Sequence, residues 1–236
     1  MKFNNRKLQN IFILIFLFFS IALKAQLNCS KYYPLVKGTS FQYTMFDKKG
    51  KPDGTSDYKV TNVESSGNET VAEMAINLTD NKGKETMQSN YSITCNGSGV
   101  KIDFKSLMAS QMLDQYKDMD VDLSGTDIEL PNDLSVGQQL NDANVTMTVK
   151  MAGMNMKTIV NMVNRKVEKK ENLTTPAGSF ECFVIYSENE SQIMGMKKTF
   201  PSRLWLAEGV GMIKQESYKT NGDLMSTTEL TKFDKK

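Results

Sequence analysis

GMIKQESYKTNGDLMSTTELTKF, residues 211–233, decides the fold class. Two strand-like arms flank Asn221-Gly222, a pair suited to positive φ at both central positions of a tight hairpin turn. Working outward, the same grammar recurs. Phe41, Tyr43 and Met45 alternate with Gln42 and Thr44; Ala72, Met74, Ile76 and Leu78 share one face; Val100, Ile102 and Phe104 share another. Turn-forming runs such as DKKGK (from Asp47), SSGN (from Ser65) and DNKGK (from Asp80) break the alternation every ten residues or so. Period-two patterning with frequent turns predicts a meandering antiparallel sheet. DKKGK and DNKGK stand 33 residues apart, and SDYKVTN (Ser56–Asn62) matches SNYSITC (Ser89–Cys95) at that same offset. One such pair indicates two similar hairpins and is too little for a solenoid or propeller.

One segment departs from this rhythm. In KSLMASQMLDQYKDM, Met108, Met112 and Tyr116 fall at i, i+4 and i+8 beside Leu113, with no Gly or Pro. The spacing predicts one short amphipathic helix over about 106–117, its apolar stripe covering a sheet face. Strands resume with Val121 and Leu123, then Ile128 and Leu130. Val145, Met147, Val149 and Met151 form another, and a long strand runs from Met156 to about Val167.

The first 25 residues read as an export signal. Lys2, Arg6 and Lys7 precede an uncharged run from Ile11 to Leu23, 13 residues long, and Ala25 stands before a cut at Gln26. That run is too short to span a bilayer and suits a secretory signal. Removing it takes four cations and no acid, so 29 Lys+Arg against 27 Asp+Glu becomes 25 against 27. The resulting weakly acidic surface of mixed sign has no electrostatic footprint for nucleic acid or anionic lipid. Residues 26–236 are expected to form a single domain, without a transmembrane anchor, in the periplasm or outside the cell. Export favours pairing among Cys29, Cys95 and Cys182. A Cys29–Cys95 bridge would anchor the N-terminal end of the fold, although spacing alone does not fix connectivity.

The segment TTPAGSFECFVIY with RLWLAEGVGMIKQE and TNGDLMSTTELTKF resembles a family of exported Gram-negative β-proteins that carry a domain of unknown function. The residues that carry the resemblance are Pro176-Ala177-Gly178, Phe180, Trp205, Ala207, Gly209-Val210-Gly211 and Lys214. The opening CSKYYPLVKGTSFQYTMFDKKGK, from Cys29, is similar as well. The resemblance implies a single antiparallel, strongly curled sheet forming an open or nearly closed barrel. In outline that is similar to periplasmic lipoprotein carriers, and it implies no catalytic residues.

Residue types narrow the chemistry further. The chain has no histidine, which removes His-based triads and His-ligated zinc or copper. No Gly-x-Ser-x-Gly elbow or phosphate-cradling loop occurs. Asp118, Asp120, Asp122 and Glu129 match the spacing of a calcium loop, but Leu123 stands where its sharp turn needs Gly. A strand with its aspartates in water explains them better. Fifteen methionines follow the signal, and MAGMNMK (from Met151) concentrates three of them. Thioethers suit Cu(I). Met147 and Met151, however, extend the alternation of Val145 and Val149, and Met fills adaptable apolar surfaces. We therefore expect a non-enzymatic protein without a cofactor or metal, sheltering a lipid-like ligand or partner segment along Met147, Met151, Met156, Met108 and Met112. The alternatives are a structural role, with a cell-envelope protein as partner, and Cu(I) binding through the Met cluster.

The signal reading predicts that the exported protein begins at Gln26 with an unacylated Cys29. Intact-mass analysis of the N-terminal peptide checks this; a diacylglyceryl mass on Cys29 contradicts it.

Overall fold

The computed structural model describes residues 29–104, 120–151, 154–193 and 195–236. The expected signal at 1–25 and the expected helix over 106–117, with Met108 and Met112, lie outside the described residues. Thirteen strands make one antiparallel sheet: β1 (Ser40–Asp47), β2 (Pro52–Ser66), β3 (Glu69–Asp80), β4 (Glu85–Cys95), β5 (Gly99–Ile102), β6 (Asp120–Gly125), β7 (Ile128–Pro131), β8 (Ala143–Met151), β9 (Met154–Thr175), β10 (Gly178–Ile193), β11 (Met196–Ala207), β12 (Gly211–Tyr218) and β13 (Leu224–Asp234). Their order is β6-β8-β9-β10-β11-β12-β13-β1-β2-β3-β4-β5-β7.

That order requires strong curling. Laid flat, thirteen strands would hold the two edges about 58 Å apart. The edges are β6 and β7, and the chain passes from Gly125 to Ile128 through only Thr126 and Asp127, a reach of about 11 Å. The sheet therefore wraps round until its edges meet. The ladder does not close, so the barrel is open along a seam.

The seam is one extended segment that changes partners. Its upper part, β6, pairs with β8; its lower part, β7, pairs with β5. Gly125 sits at the change, with φ of 151°, and a Cβ there would lie 2.1 Å from the Asn144 carbonyl oxygen. Below it, residues 137–141 lie along β9, where Leu140 N–H donates to Arg165 O and Val167 N–H donates to Gln138 O. Between β7 and this segment the main chain makes no direct bond; Arg165 spans the gap instead. Its Nη2 donates to Glu129 O at 3.1 Å and its Nη1 to Asn141 O. Arg165 is 4% exposed, and the bulge beside it places Asn164 at φ 54°.

The hairpins are built alike. Asp47 and Asp80 each accept two backbone N–H groups through Oδ1, from Lys49 and Lys51 and from Lys82 and Lys84. Gly50, Gly83 and Gly222 donate to the carbonyls of Asp47, Asp80 and Lys219, three residues back, each with φ between 75° and 89°. This corrects the expectation for Asn221-Gly222. Asn164 is the one non-glycine with positive φ among the described residues, so only Gly222 turns left-handed. The hairpin uses a three-residue loop with a glycine bulge.

β9 is longer than expected, beginning at Met154 and ending at Thr175. The extension KVEKKENLTT hides its strand character because its outer face is charged. Cross-strand pairs hold it: Lys170–Glu181 at 2.7 Å and Arg203–Glu168 at 2.7 Å.

Replacing Arg165 with Met removes a buried charge, which alone is often neutral. Here it also leaves two main-chain carbonyls unpaired at the seam, so Arg165→Met is expected to cost about 2–4 kcal/mol. Urea unfolding should show a lowered midpoint with an unchanged slope. A loss below about 1 kcal/mol would mean the seam does not depend on this side chain.

Candidate functional site

Register defines the inner face of the curl. Cross-strand neighbours share a face, so Phe41, Tyr43, Tyr58, Met74, Ile76, Tyr91, Ile93, Val100 and Leu130 point the same way as Leu230, Ile185, Val145, Met147 and Val149. The interior divides along its length.

The lower part holds the N-terminal segment. Cys29 is disulfide-bonded to Cys95, with Cα atoms 5.7 Å apart, which brings residues 29–36 under the strands. Asn132 pins this segment: Oδ1 accepts Lys31 N–H, and Nδ2 donates to the carbonyls of Cys29 and Gly97. Tyr32 is 1% exposed and meets Phe183 edge-on at 6.4 Å. Tyr33 lies against Gly211, where a Cβ would be 2.9 Å from its ring. Tyr43 meets Tyr58 edge-on at 5.4 Å, Tyr58 meets Tyr91 at 6.4 Å, and Tyr43 Oη donates to Met212 O. The matched offset of 33 residues thus places Tyr58 and Tyr91 against each other. Burial pushes the Tyr32 and Tyr33 phenols up to about 12 and holds Tyr43 and Tyr91 well above the ordinary value.

The upper part is different. Ala143, Val145, Met147 and Val149 form an inner row on β8, each at most 2% exposed and outside the tyrosine-lined core. Beside them on β9 stand Met156, Thr158, Val160 and Met162, and on β6 Val121 and Leu123; all six are only half-buried. On the adjoining strands β10 and β11 the lining turns polar. Ser187 and Ser202 share a hydrogen bond at 2.9 Å, and Asn189 Nδ2 donates to Ser202 Oγ. The inner wall is therefore amphipathic, apolar on β6, β8 and β9 and polar on β10 and β11.

Of the residues expected to line a ligand site, Met147 and Met156 share this inner face, and the side chain of Met151 lies outside the described residues. Met151 pairs with Met154 at the hairpin end, and Met156 pairs with Val149. The aspartates with calcium-loop spacing are engaged otherwise. Asp120 and Asp122 both pair with Lys150, at 2.9 and 3.1 Å, while Glu129 takes Lys101 at 3.2 Å and Asn141 Nδ2 at 2.7 Å. Among the described residues no three His, Cys, Asp or Glu side chains converge as a metal site.

Two clefts open away from this wall. One of about 790 Å³ lies at the floor between residues 29–37 and the β2–β3 hairpin, lined by Tyr33, Leu35, Val36, Val63, Asn68 and Thr70 among others. The second, about 360 Å³, follows the lower seam. No methionine lines either.

The motif residues Trp205 and Lys214 stand on the outer face, where they support the wall. Trp205 Nε1 donates to Glu171 Oε1 at 2.7 Å, and the Lys214 ammonium lies 5.1 Å from the Trp205 ring. Gly209 N–H donates to Lys31 O, so the Gly-Val-Gly turn receives the N-terminal segment. Cys182 is buried between these strands and its thiol is pushed up to about 11. Sequence reading missed Asn132 and Arg165, because each acts on main-chain groups distant in sequence.

A sequence model of the DUF3108-like family matches residues 36–230, and the chain belongs to that family. Two solved structures share the fold. One, from Parabacteroides distasonis ATCC 8503, is described as inferred to be a lipoprotein; it is 22% identical, with a TM-score of 0.72, over 88% of this chain and 100% of its own. The other, from Bacteroides fragilis NCTC 9343, is described as inferred to be exported, with a YmcC-like fold; it is 17% identical, with a TM-score of 0.69, over 88% and 100%. No curated protein matches the chain.

The buried phenols set a pH dependence. A phenol whose pKa is raised by folding gives up its proton first in the unfolded chain. Its contribution is intact below about pH 10 and is lost as pH rises toward about 12. Denaturant midpoints should fall steeply between pH 10 and 12, and tyrosinate absorbance from these rings should appear only with unfolding. Early tyrosinate absorbance in folded protein would contradict the burial of these rings.

Proposed function

Starting from membership of the DUF3108-like family, we propose that this chain is an exported, non-enzymatic β-protein whose curled sheet shelters an apolar, lipid-like ligand. The ligand lies along the inner wall of β6, β8 and β9. One observation carries the reading: Val121, Leu123, Met156, Val160 and Met162 face inward beside the buried row of Val145, Met147 and Val149, yet remain half-exposed. Apolar side chains left half-exposed on an inward face are what an apolar guest would cover. Flexible methionines at Met147 and Met156 suit acyl chains of differing length and curvature. The polar strip beside it on β10 and β11, where Asn189 is the cross-strand partner of Met162 and the Ser187–Ser202 hydroxyl pair adjoins it, gives the wall a polar border against which a headgroup would lie. The export signal, the disulfide and the descriptions of the two structural neighbours support action in the cell envelope.

Fluorescence of 1-aminoanthracene tests the reading. The probe should brighten on binding and be displaced by palmitate. Met162→Lys, which puts a charge on the half-exposed stripe, should weaken uptake at least about tenfold, and Met162→Leu should preserve it. Thermal melting confirms that both variants fold. Absent uptake, or uptake indifferent to Met162→Lys, contradicts a ligand on this wall.

A further inference from the structure

The cleft at the lower seam has the form of a strand vacancy. Its walls are β7 on one side and residues 138–141 on the other, with Asn96, Ser98 and Asp133 at its lower end. The hydrogen-bond pattern fixes which main-chain groups face it. Asn132 N–H donates to Ser98 O, and the β5–β7 register continues from that pair, so Val100–Leu130 and Ile102–Ile128 exchange bonds. The intervening residues of β7, Glu129 and Pro131, therefore turn their main-chain groups away from β5, toward the cleft. The Arg165 bond to Glu129 O from that side agrees.

The opposite wall follows the same logic. Leu140 N–H and Gln138 O are bonded to β9, and Gln139 bridges to Lys166 between them. Gln139 and Asn141 then turn their main-chain groups toward β7, as the Arg165 bond to Asn141 O shows. Arg165 closes the upper end from the inner side, and the bond from Asn141 Nδ2 to Glu129 Oε2 closes it from the outer side. Below that point the walls carry the Glu129 N–H and Pro131 C=O on one side and the Gln139 N–H, Gln139 C=O and Asn141 N–H on the other. None of these groups has a hydrogen-bond partner among the described residues. Paired strands stand about 4.8 Å apart, so an added strand needs walls about 9.6 Å apart, and the cleft of about 360 Å³ between these edges is the space it would fill.

The geometry points to a peptide-binding site: the seam slot takes a short extended peptide by β-augmentation, held by main-chain hydrogen bonds to Glu129, Pro131, Gln139 and Asn141. The chemistry of the walls selects the class. Alternating donors and acceptors on two facing edges match a peptide backbone, which presents the same alternation on both of its sides. The length from Glu129 to Pro131, about 7 Å, limits the bound stretch to a few residues. Lys101 and Glu129, at the rim, pair with each other and leave side-chain selectivity weak. This site is separate from the apolar inner wall and stands whether or not that wall binds lipid.

The test is an amide NMR titration of the disulfide-bonded protein with a pool of blocked tripeptides randomised at all three positions. A second titration uses the same pool N-methylated at the central residue. The expected result is saturable movement of the Glu129, Gln139 and Asn141 amide resonances with the first pool, and at least a tenfold loss of apparent affinity with the second. If these amides do not move, the slot does not bind peptide. If the methylated pool binds equally well, side chains and not strand pairing account for binding, and the proposal is overturned.

Discussion

A single segment, residues 120–131, has to pair with both ends of one sheet, and the fold depends on how that is done. In its upper part it completes β8; in its lower part it completes β5. A strand can change partners this way only where its pleat is interrupted, and Gly125 with the two residues after it supplies the interruption. The price is a lower seam without a ladder. Arg165 fills that role with a side chain: its planar guanidinium presents donors in a fork, which suits two carbonyls on separate strands. Its burial is sustained by those two bonds, with Glu129 and Asp142 supplying negative charge nearby.

Closing the curl in this way separates the interior into two environments. The floor is packed by the N-terminal segment, fastened by the Cys29–Cys95 bridge and by Asn132, with Tyr32, Tyr33, Tyr43, Tyr58 and Tyr91 filling the space between strands. Edge-to-face ring contacts join Tyr43, Tyr58 and Tyr91, and a cleft beside Tyr33 remains open between this segment and the β2–β3 hairpin. The upper wall has apolar residues on β6, β8 and β9 and hydroxyl and amide groups on β10 and β11. Under the proposed reading, the half-covered amphipathic wall above the tyrosine-lined part would act as a one-ended cup. The outer-face cluster of Trp205, Glu171 and Lys214 stiffens the strands that carry the polar side of that cup.

Much of this was legible in the residues. Alternation located most of the strands, because one face of each is buried and the other is wet. The repeated Asp-x-x-Gly-Lys turns were legible for a local reason: the aspartate caps its own loop. The inward direction of Met147 and Met156 also followed from alternation with Val145 and Val149. Other features were not local. The second half of β9 is charged on its outer face and is held by pairing with Glu181 and Arg203, so its own pattern is silent. Arg165 looks like one more cation in a polar stretch; only the topology brings Glu129 and Asn141 to it. The type of turn at Asn221-Gly222 was misjudged because the dipeptide is compatible with two loop lengths, and the strand register chose the longer.

Native mass spectrometry of the protein purified without detergent from the cells that make it tests the cup most directly. The account predicts a population heavier than the chain by the mass of an acyl-bearing molecule, released by organic solvent and diminished in Met162→Lys. A protein that carries only its own mass, and stays so after incubation with palmitate, would contradict it.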